Sequence, residues 1–234
     1  MSRSAQMQAG VIGFEPDELV VHTHAGTTMR DLAETLAAKG QRLRIPAVGT
    51  VGGTIAARRN GPYPTDNSTL PNIVLRIRAI DGTGRKFTAG GGTVKNVSGF
   101  DLVKVLVGSR GTLATITEVT LRTEPIPRAS RWFEGAGPVH ALYRPSLVAV
   151  NRGRTIVNLE GHPDDVMEQS LLLEGFEEVQ TPTPEQVVAF EPFDLASHAV
   201  ADATPTLAVC RRLKASFDPD NVMAPERSFE LGLL

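Results

Sequence analysis

Cysteine is almost absent: Cys210 stands alone in 234 residues. A lone thiol closes no internal disulfide, and by itself it holds neither a Cys-ligated zinc nor an iron–sulfur cluster. Aromatic residues make up 5%, with a single tryptophan, Trp132, which argues against a platform for stacking single-stranded nucleic acid. A surplus of one charge is missing too. The net charge of -2 leaves no footprint for nucleic acid or a membrane surface. No apolar run is long enough to cross a bilayer. The opening residues MSRSAQMQAG lack the apolar stretch of a secretory signal, so the expectation is a cytoplasmic protein. What is there is ordinary for a soluble chain: 41% hydrophobic and 21% charged residues, enough for one large or two small domains with a real core.

Residues 18–26, ELVVHTHAG, alternate and end in glycine, the pattern of a strand. Residues 27–40 predict a helix, with a threonine to cap it, Leu32, Leu36 and Ala37 on one face, and Gly40 to end it. Residues 45–72 are rich in Gly, Pro, Asn, Ser and Thr and predict a loop with unusual backbone angles. Residues 73–91 predict a hairpin turned by DGTG. Residues 101–108 predict a short helix or turn. A strand follows with Ile116, Val119 and Leu121, halted by EPIP at residues 124–127. Beyond it, residues 155–190 read as a strand, a helix opened near Pro163 and a polar loop, a small second α+β unit. Residues 205–217 predict a helix, followed by a turn and a tail.

Two segments put glycine beside hydroxyls. TVGGTIAARRNG runs to Gly61, and VGSRGTLATIT begins at Val107. Glycine removes the Cβ that keeps a backbone away from a ligand, and Ser or Thr adds hydrogen bonds to an anion site. Neither segment is a Walker loop or the dinucleotide fingerprint of a βαβ unit. A third cluster, GGGT at residues 90–93, reads as a loop or bulge after a strand. On spacing alone each cluster is either a ligand contact or a plain turn.

The order of these segments carries a resemblance. TVGGTIAARRNGP, DGTGRKFTAGG, KNVSGFDLVKVLVGSRGTLATITEVTLRTEP and LKASFDPDNVMAPER together resemble the FAD-linked oxidases of the vanillyl-alcohol oxidase and p-cresol methylhydroxylase type. Within that family the likeness is to the FAD-binding E subunits of bacterial glycolate oxidase, and it runs from about Phe14 to Arg227. The resemblance implies an α+β fold: a p-cresol methylhydroxylase-type FAD-binding domain over residues 1–127, and a small α+β cap-like domain over residues 128–234. It implies FAD as cofactor, held by Val51, Gly52, Gly53 and Thr54, by Gly61, and by Gly108, Ser109, Gly111, Thr112, Leu113 and Ile116. It also implies oxidation of a small 2-hydroxy acid, beside a second flavoprotein subunit and an iron–sulfur subunit.

Three departures from the family pattern stand out. The first subdomain, whose loop wraps the FAD pyrophosphate, has no counterpart before Glu18, so a truncated cofactor wall is expected. Ala114 replaces a family glycine, and APER at residues 224–227 replaces the usual N-P-G-R. A non-catalytic interaction subunit with a decayed flavin site is the alternative expectation. No catalytic acid or base is singled out. His22 and His24 share one side of a strand, which suits an ordinary strand face better than a metal. His162, Asp164 and Asp165 suit a helix start. Lys95 and Asn96 suit a substrate contact or a surface turn equally, and Arg58 and Arg59 suit solvent better than a phosphate.

Overall fold

The computed structural model describes residues 7–61, 69–91, 101–192, 204–231 and 233. Along the chain come β1 (Val11–Glu15), β2 (Val20–His24), α1 (Met29–Ala37), β3 (Gln41–Arg42), α2 (Val51–Ala56) and α3 (Leu70–Ile73). Next are β4 (Val74–Asp81), β5 (Lys86–Gly90), α4 (Leu102–Leu106), β6 (Ala114–Arg122) and β7 (Glu124–Pro125). Then follow β8 (Ala129–Gly135), β9 (Leu147–Asn151), β10 (Arg154–Gly161), α5 (Pro163–Ser170), β11 (Phe176–Val179), α6 (Pro184–Val188) and β12 (Glu191–Pro192). The chain closes with α7 (Thr204–Phe217) and α8 (Pro225–Glu230).

Two five-stranded antiparallel sheets and a two-stranded pair, β3-β7, organise these elements into a mixed α/β fold. The first has the order β1-β2-β6-β4-β5 and the second β11-β8-β10-β9-β12. The alternation read from residues 18–26 is real: Val21 and Thr23 are fully buried in β2, while His22 and His24 lie on the other face. Helix α1 begins where Thr28 accepts a hydrogen bond from the Asp31 amide, and it buries Met29, Leu32 and Leu36. Helices α1, α2 and α4 supply one side of the first core, and the inward residues of β2, β4 and β6 supply the other.

The composition of residues 45–72 predicts a loop, yet α2 and α3 lie within it. Glycine costs a helix roughly 1 kcal/mol relative to alanine, so the pair Gly52–Gly53 argues against one. Packing outweighs that cost. A Cβ on Gly52 would stand 2.9 Å from the Ala25 Cβ, so only glycine lets α2 lie this close to the end of β2. The other side of α2 buries Val51 and Ile55.

The second unit has cores on both faces of its sheet. Trp132, Leu147, Ala149 and Ile156 meet Val187 and Phe190 on one side, and Phe133, Val157 and Leu159 meet Val166 of α5 on the other. Pro184 and the paired bonds between Thr183 and Gln186 start α6 inside the segment whose polarity predicts a loop. Helix α7 follows the second sheet in sequence but packs against the first. Leu213 and Phe217 join the first core, and the Phe217 ring meets Phe87 edge-on at 5.4 Å. The last part of the chain after residue 127 thus contributes to the first core.

The most buried polar link between the two units centres on one carboxylate. Arg42 of β3 grips Glu160 of β10 with both terminal nitrogens, at 2.7 and 2.6 Å. Its Nε donates to Glu124 of β7 at 2.9 Å. The Glu160 side chain is 7% exposed. Burial alone would raise its pKa, but the bond from Arg42 and the charges of Arg42 and Arg44 bring it below the usual carboxylate value. Replacing Arg42 by Ala leaves Glu160 with Arg44, 3.6 Å away. The expected loss is about 2–3 kcal/mol, because a mostly buried carboxylate loses its bidentate partner. Urea unfolding followed by Trp132 fluorescence measures it, and adding Glu160→Gln is expected to recover part of the loss.

Candidate functional site

The site is built where α2 ends against the turn that leads into β6. The Gly108 amide donates to the Ile55 carbonyl at 3.0 Å, and the Arg110 amide donates to the Ala56 carbonyl at 2.8 Å. The two glycine-bearing segments, distant in sequence, are therefore neighbours. The turn needs glycine for its backbone angles: Gly108 has φ 88° and Gly111 has φ 77°, with Arg110 between them at 53°. A Cβ on Gly111 would meet nothing within 4 Å, so the backbone there lies open to an approaching group.

The side chains divide sharply. Among the described residues the buried Ser109 Oγ has no hydrogen-bond partner. The Thr112 hydroxyl donates to the Ser109 carbonyl at 2.6 Å and is spent within the turn. Leu113 and Ile116 are 6% and 5% exposed and belong to the core, so only their backbone can face a ligand. Gly61 has φ 71° and closes the first segment.

The start of α2 is already satisfied from inside. Val51 donates to the Thr27 carbonyl at 2.9 Å and Gly52 to the Ala25 carbonyl at 2.8 Å. Gly53 donates to Thr50 Oγ1 at 3.2 Å. Thr54 is buried and its hydroxyl lies 3.4 Å from the Val48 carbonyl. Thus residues 51–54 position the turn, and their amides are engaged within the protein. Lys95, Asn96 and the end of the GGGT cluster lie outside the described residues.

A groove of about 570 Å³ runs beside the turn, within the usual range for small-molecule sites. Gly108, Ser109, Thr112 and Leu113 line it, with Arg58 and Lys104 as cations and Cys210 and Leu213 of α7 opposite. The groove therefore combines an unspent buried hydroxyl with two cations, while the open backbone at Gly111 lies in the same turn. The turn thus offers the groove one unspent hydroxyl, at Ser109, whereas the amides of residues 51–54 are all engaged.

Two buried charged side chains beside the turn escape the sequence reading. Lys214 of α7 is buried, and its Nζ donates to the Thr112 carbonyl at 2.9 Å, to Asp218 Oδ2 at 2.5 Å and to the Met223 carbonyl at 3.0 Å. Asp218 in turn accepts from the Val222 and Met223 amides at 2.9 and 2.8 Å. Burial alone would raise the Asp218 carboxyl. The Lys214 bond and the two amides outweigh it, so its pKa lies below the usual value. The available signal was an i,i+4 Lys–Asp pair before a proline, in a helix whose last turn faces inward. The APER segment lies beside the same turn: Arg227 reaches the Arg110 carbonyl at 3.3 Å, and Ala224 has φ 43°, a strained angle that asparagine tolerates better.

The remaining candidates have plainer surroundings. His22 Nε2 lies 3.1 Å from Glu118 Oε2 on the sheet face, and burial with the nearby Arg76 holds its pKa below the usual histidine value. His162 Nδ1 accepts from the Asp164 amide at 3.3 Å and caps α5. Among the described residues no group of three or more His, Cys, Asp or Glu is placed to hold a metal, and no helix is long and apolar enough to cross a membrane.

Comparison with known proteins places this geometry. Residues 3–95 match the family described as FAD binding domain. Over 126 residues the chain is 36% identical to glycolate oxidase subunit GlcE of Escherichia coli (strain K12), covering 52% of this chain and 36% of that protein. Over 116 residues it is 38% identical to D-lactate dehydrogenase of Archaeoglobus fulgidus, covering 47% of this chain and 26% of that protein. The matched stretch is thus about a third or less of the length of these relatives. Among solved structures, alkyldihydroxyacetonephosphate synthase superposes with a TM-score of 0.59 at 15% identity, over 76% of this chain and 43% of that one. This last likeness is one of fold alone.

Two outcomes test the geometry. Gly111→Ala is expected to cost about 1–2 kcal/mol in denaturant unfolding despite the open space around it, because the cost is in φ. For Asp218, whose folded pKa is depressed, the stabilisation is complete above the unfolded value near 3.9 and is lost as pH falls through the folded value. The melting temperature is expected to fall with acid below about pH 4, and Asp218→Asn to remove that part of the fall.

Proposed function

We propose that the chain is the FAD-binding part of an oxidoreductase subunit that oxidises a small 2-hydroxy acid, since residues 3–95 match the family described as FAD binding domain. The observation that carries the reading is the bonded pair of segments, α2 and the open turn at Gly108–Gly111, in a chain whose relatives include a glycolate oxidase subunit and a D-lactate dehydrogenase. Bound FAD supplies the acceptor for the hydride that the substrate loses on oxidation to a 2-oxo acid. The chain's own residues bind and orient: the turn backbone at Gly108, Gly111 and Leu113, the Ser109 hydroxyl, and Arg58 toward the phosphates. Val51, Gly52, Gly53, Thr54, Gly61, Thr112 and Ile116 support that wall through their backbone or by packing. A second flavoprotein subunit and an iron–sulfur subunit are the partners in this reading, with the cytoplasm as the site.

A second reading has a specific observation behind it. The engaged amides of Val51, Gly52 and Gly53 favour an interaction subunit that keeps the fold without binding flavin tightly. Absorption in the flavin bands, with FAD released on denaturation, separates the two. Under the leading reading the purified protein, with its co-expressed partners, carries FAD that glycolate or D-lactate bleaches. A colourless protein that binds no added FAD supports the second reading instead.

A further inference from the structure

We propose that Lys214 is a positioning residue for the flavin-nucleotide site: it fixes the Gly108–Leu113 turn from behind through the Thr112 carbonyl. This deepens the proposed function and rests on it. The ammonium lies in a core setting, its side chain 3% exposed beside an Asp218 side chain at 0%. A surface ion pair would need no such place, and a buried one is weak evidence for stability in itself. What distinguishes this pair is its third bond. Lys214 ties Asp218 and the Met223 carbonyl, both in the C-terminal segment, to a carbonyl 102 residues away in the turn.

The bond also bears on the donor that follows. A cation on the Thr112 oxygen polarises the peptide unit that ends in the Leu113 N–H, as hydrogen bonds in a chain polarise one another. Arg227 does the same at the Arg110 oxygen, whose peptide unit ends in the Gly111 N–H. No acceptor for either amide is found among the described residues. Cations from the C-terminal segment thus sit on two alternate carbonyls of the turn, and the amides of the same peptide units are left for an electron-rich ligand atom. Asp218 holds the ammonium in place. Its carboxylate fills the space where a Gly82 side chain would be, and the Gly82 amide donates to the Phe217 carbonyl at 2.8 Å.

The test compares the unchanged chain with Lys214→Met, with Lys214→Met/Asp218→Asn, and with Asp218→Glu, which keeps the charge and lengthens the arm. Val166→Ala, in the second unit's core, serves as a control for lost stability alone. FAD affinity is read by flavin fluorescence at a temperature below every melting point, and amide hydrogen exchange is read across residues 108–113. The expected result is FAD binding weakened at least tenfold and exchange faster in the turn for the Lys214 variants, a smaller loss for Asp218→Glu, and neither change for Val166→Ala. Should Lys214→Met and the double variant not fold, Asp218→Glu decides. Unchanged affinity and unchanged exchange in the folded variants overturn the proposal. If the unchanged chain, purified with its co-expressed partners, binds no FAD, the proposed function fails, and the exchange data alone still decide whether Lys214 fixes the turn.

Discussion

A buried ammonium is expensive to desolvate, and a protein keeps one only where its hydrogen bonds are complete. Lys214 meets that condition with three acceptors, and the arrangement around the turn follows from their positions. Thr112 cannot move without breaking one bond, Asp218 without breaking another, and the backbone at Met223 without breaking the third. The turn is pinned on its other side by the carbonyls of Ile55 and Ala56. An open positive-φ turn is ordinarily a mobile element. Here it is held between a helix end and a charge, which makes its exposed amides fixed points rather than a flexible strip.

Much of this was legible in the sequence, for physical reasons. Period-two alternation identified β2, β4 and β6 because one face of the first sheet is buried and the other is wet. Thr28, Pro163 and Gly40 marked helix ends because caps answer to local chemistry. The two glycine-bearing segments were legible as partners only through the family resemblance, since nothing in the spacing says that Gly108 will bond to Ile55. The misreadings share a cause. Helix α2 violates intrinsic propensity: the closeness of Ala25 explains Gly52, and that of the Thr50 hydroxyl explains Gly53. Helix α6 is short and polar on its outer face, so composition concealed it. The place of α7 depended on a core assembled by a different part of the chain. Thr54 and Thr112 were expected to offer hydroxyls to a ligand, but their nearest acceptors were a few residues away in the backbone.

Glu160 illustrates how the two units share one electrostatic centre. Its carboxylate belongs to the second sheet, while its partners Arg42 and Arg44 lie in β3 and just after it. The bidentate geometry fixes orientation as well as distance, because a planar guanidinium matches a carboxylate in only a few ways. The second unit is therefore held at a defined angle by a polar cluster rather than by a shared apolar core, and each unit retains a core of its own.

The return of α7 to the first sheet has a consequence for biosynthesis. A ribosome releases the strands of the first sheet long before Lys214, Phe217 and Asp218 leave the exit tunnel, and domains fold as they emerge. Until then Gly82 faces no carboxylate, Phe87 lacks its ring partner, and the Thr112 oxygen has no cation. The nascent sheet must wait, incomplete, while the entire second unit is translated and folds. The groove beside the glycine turn thus takes shape only after the second unit, once α7 has been synthesised.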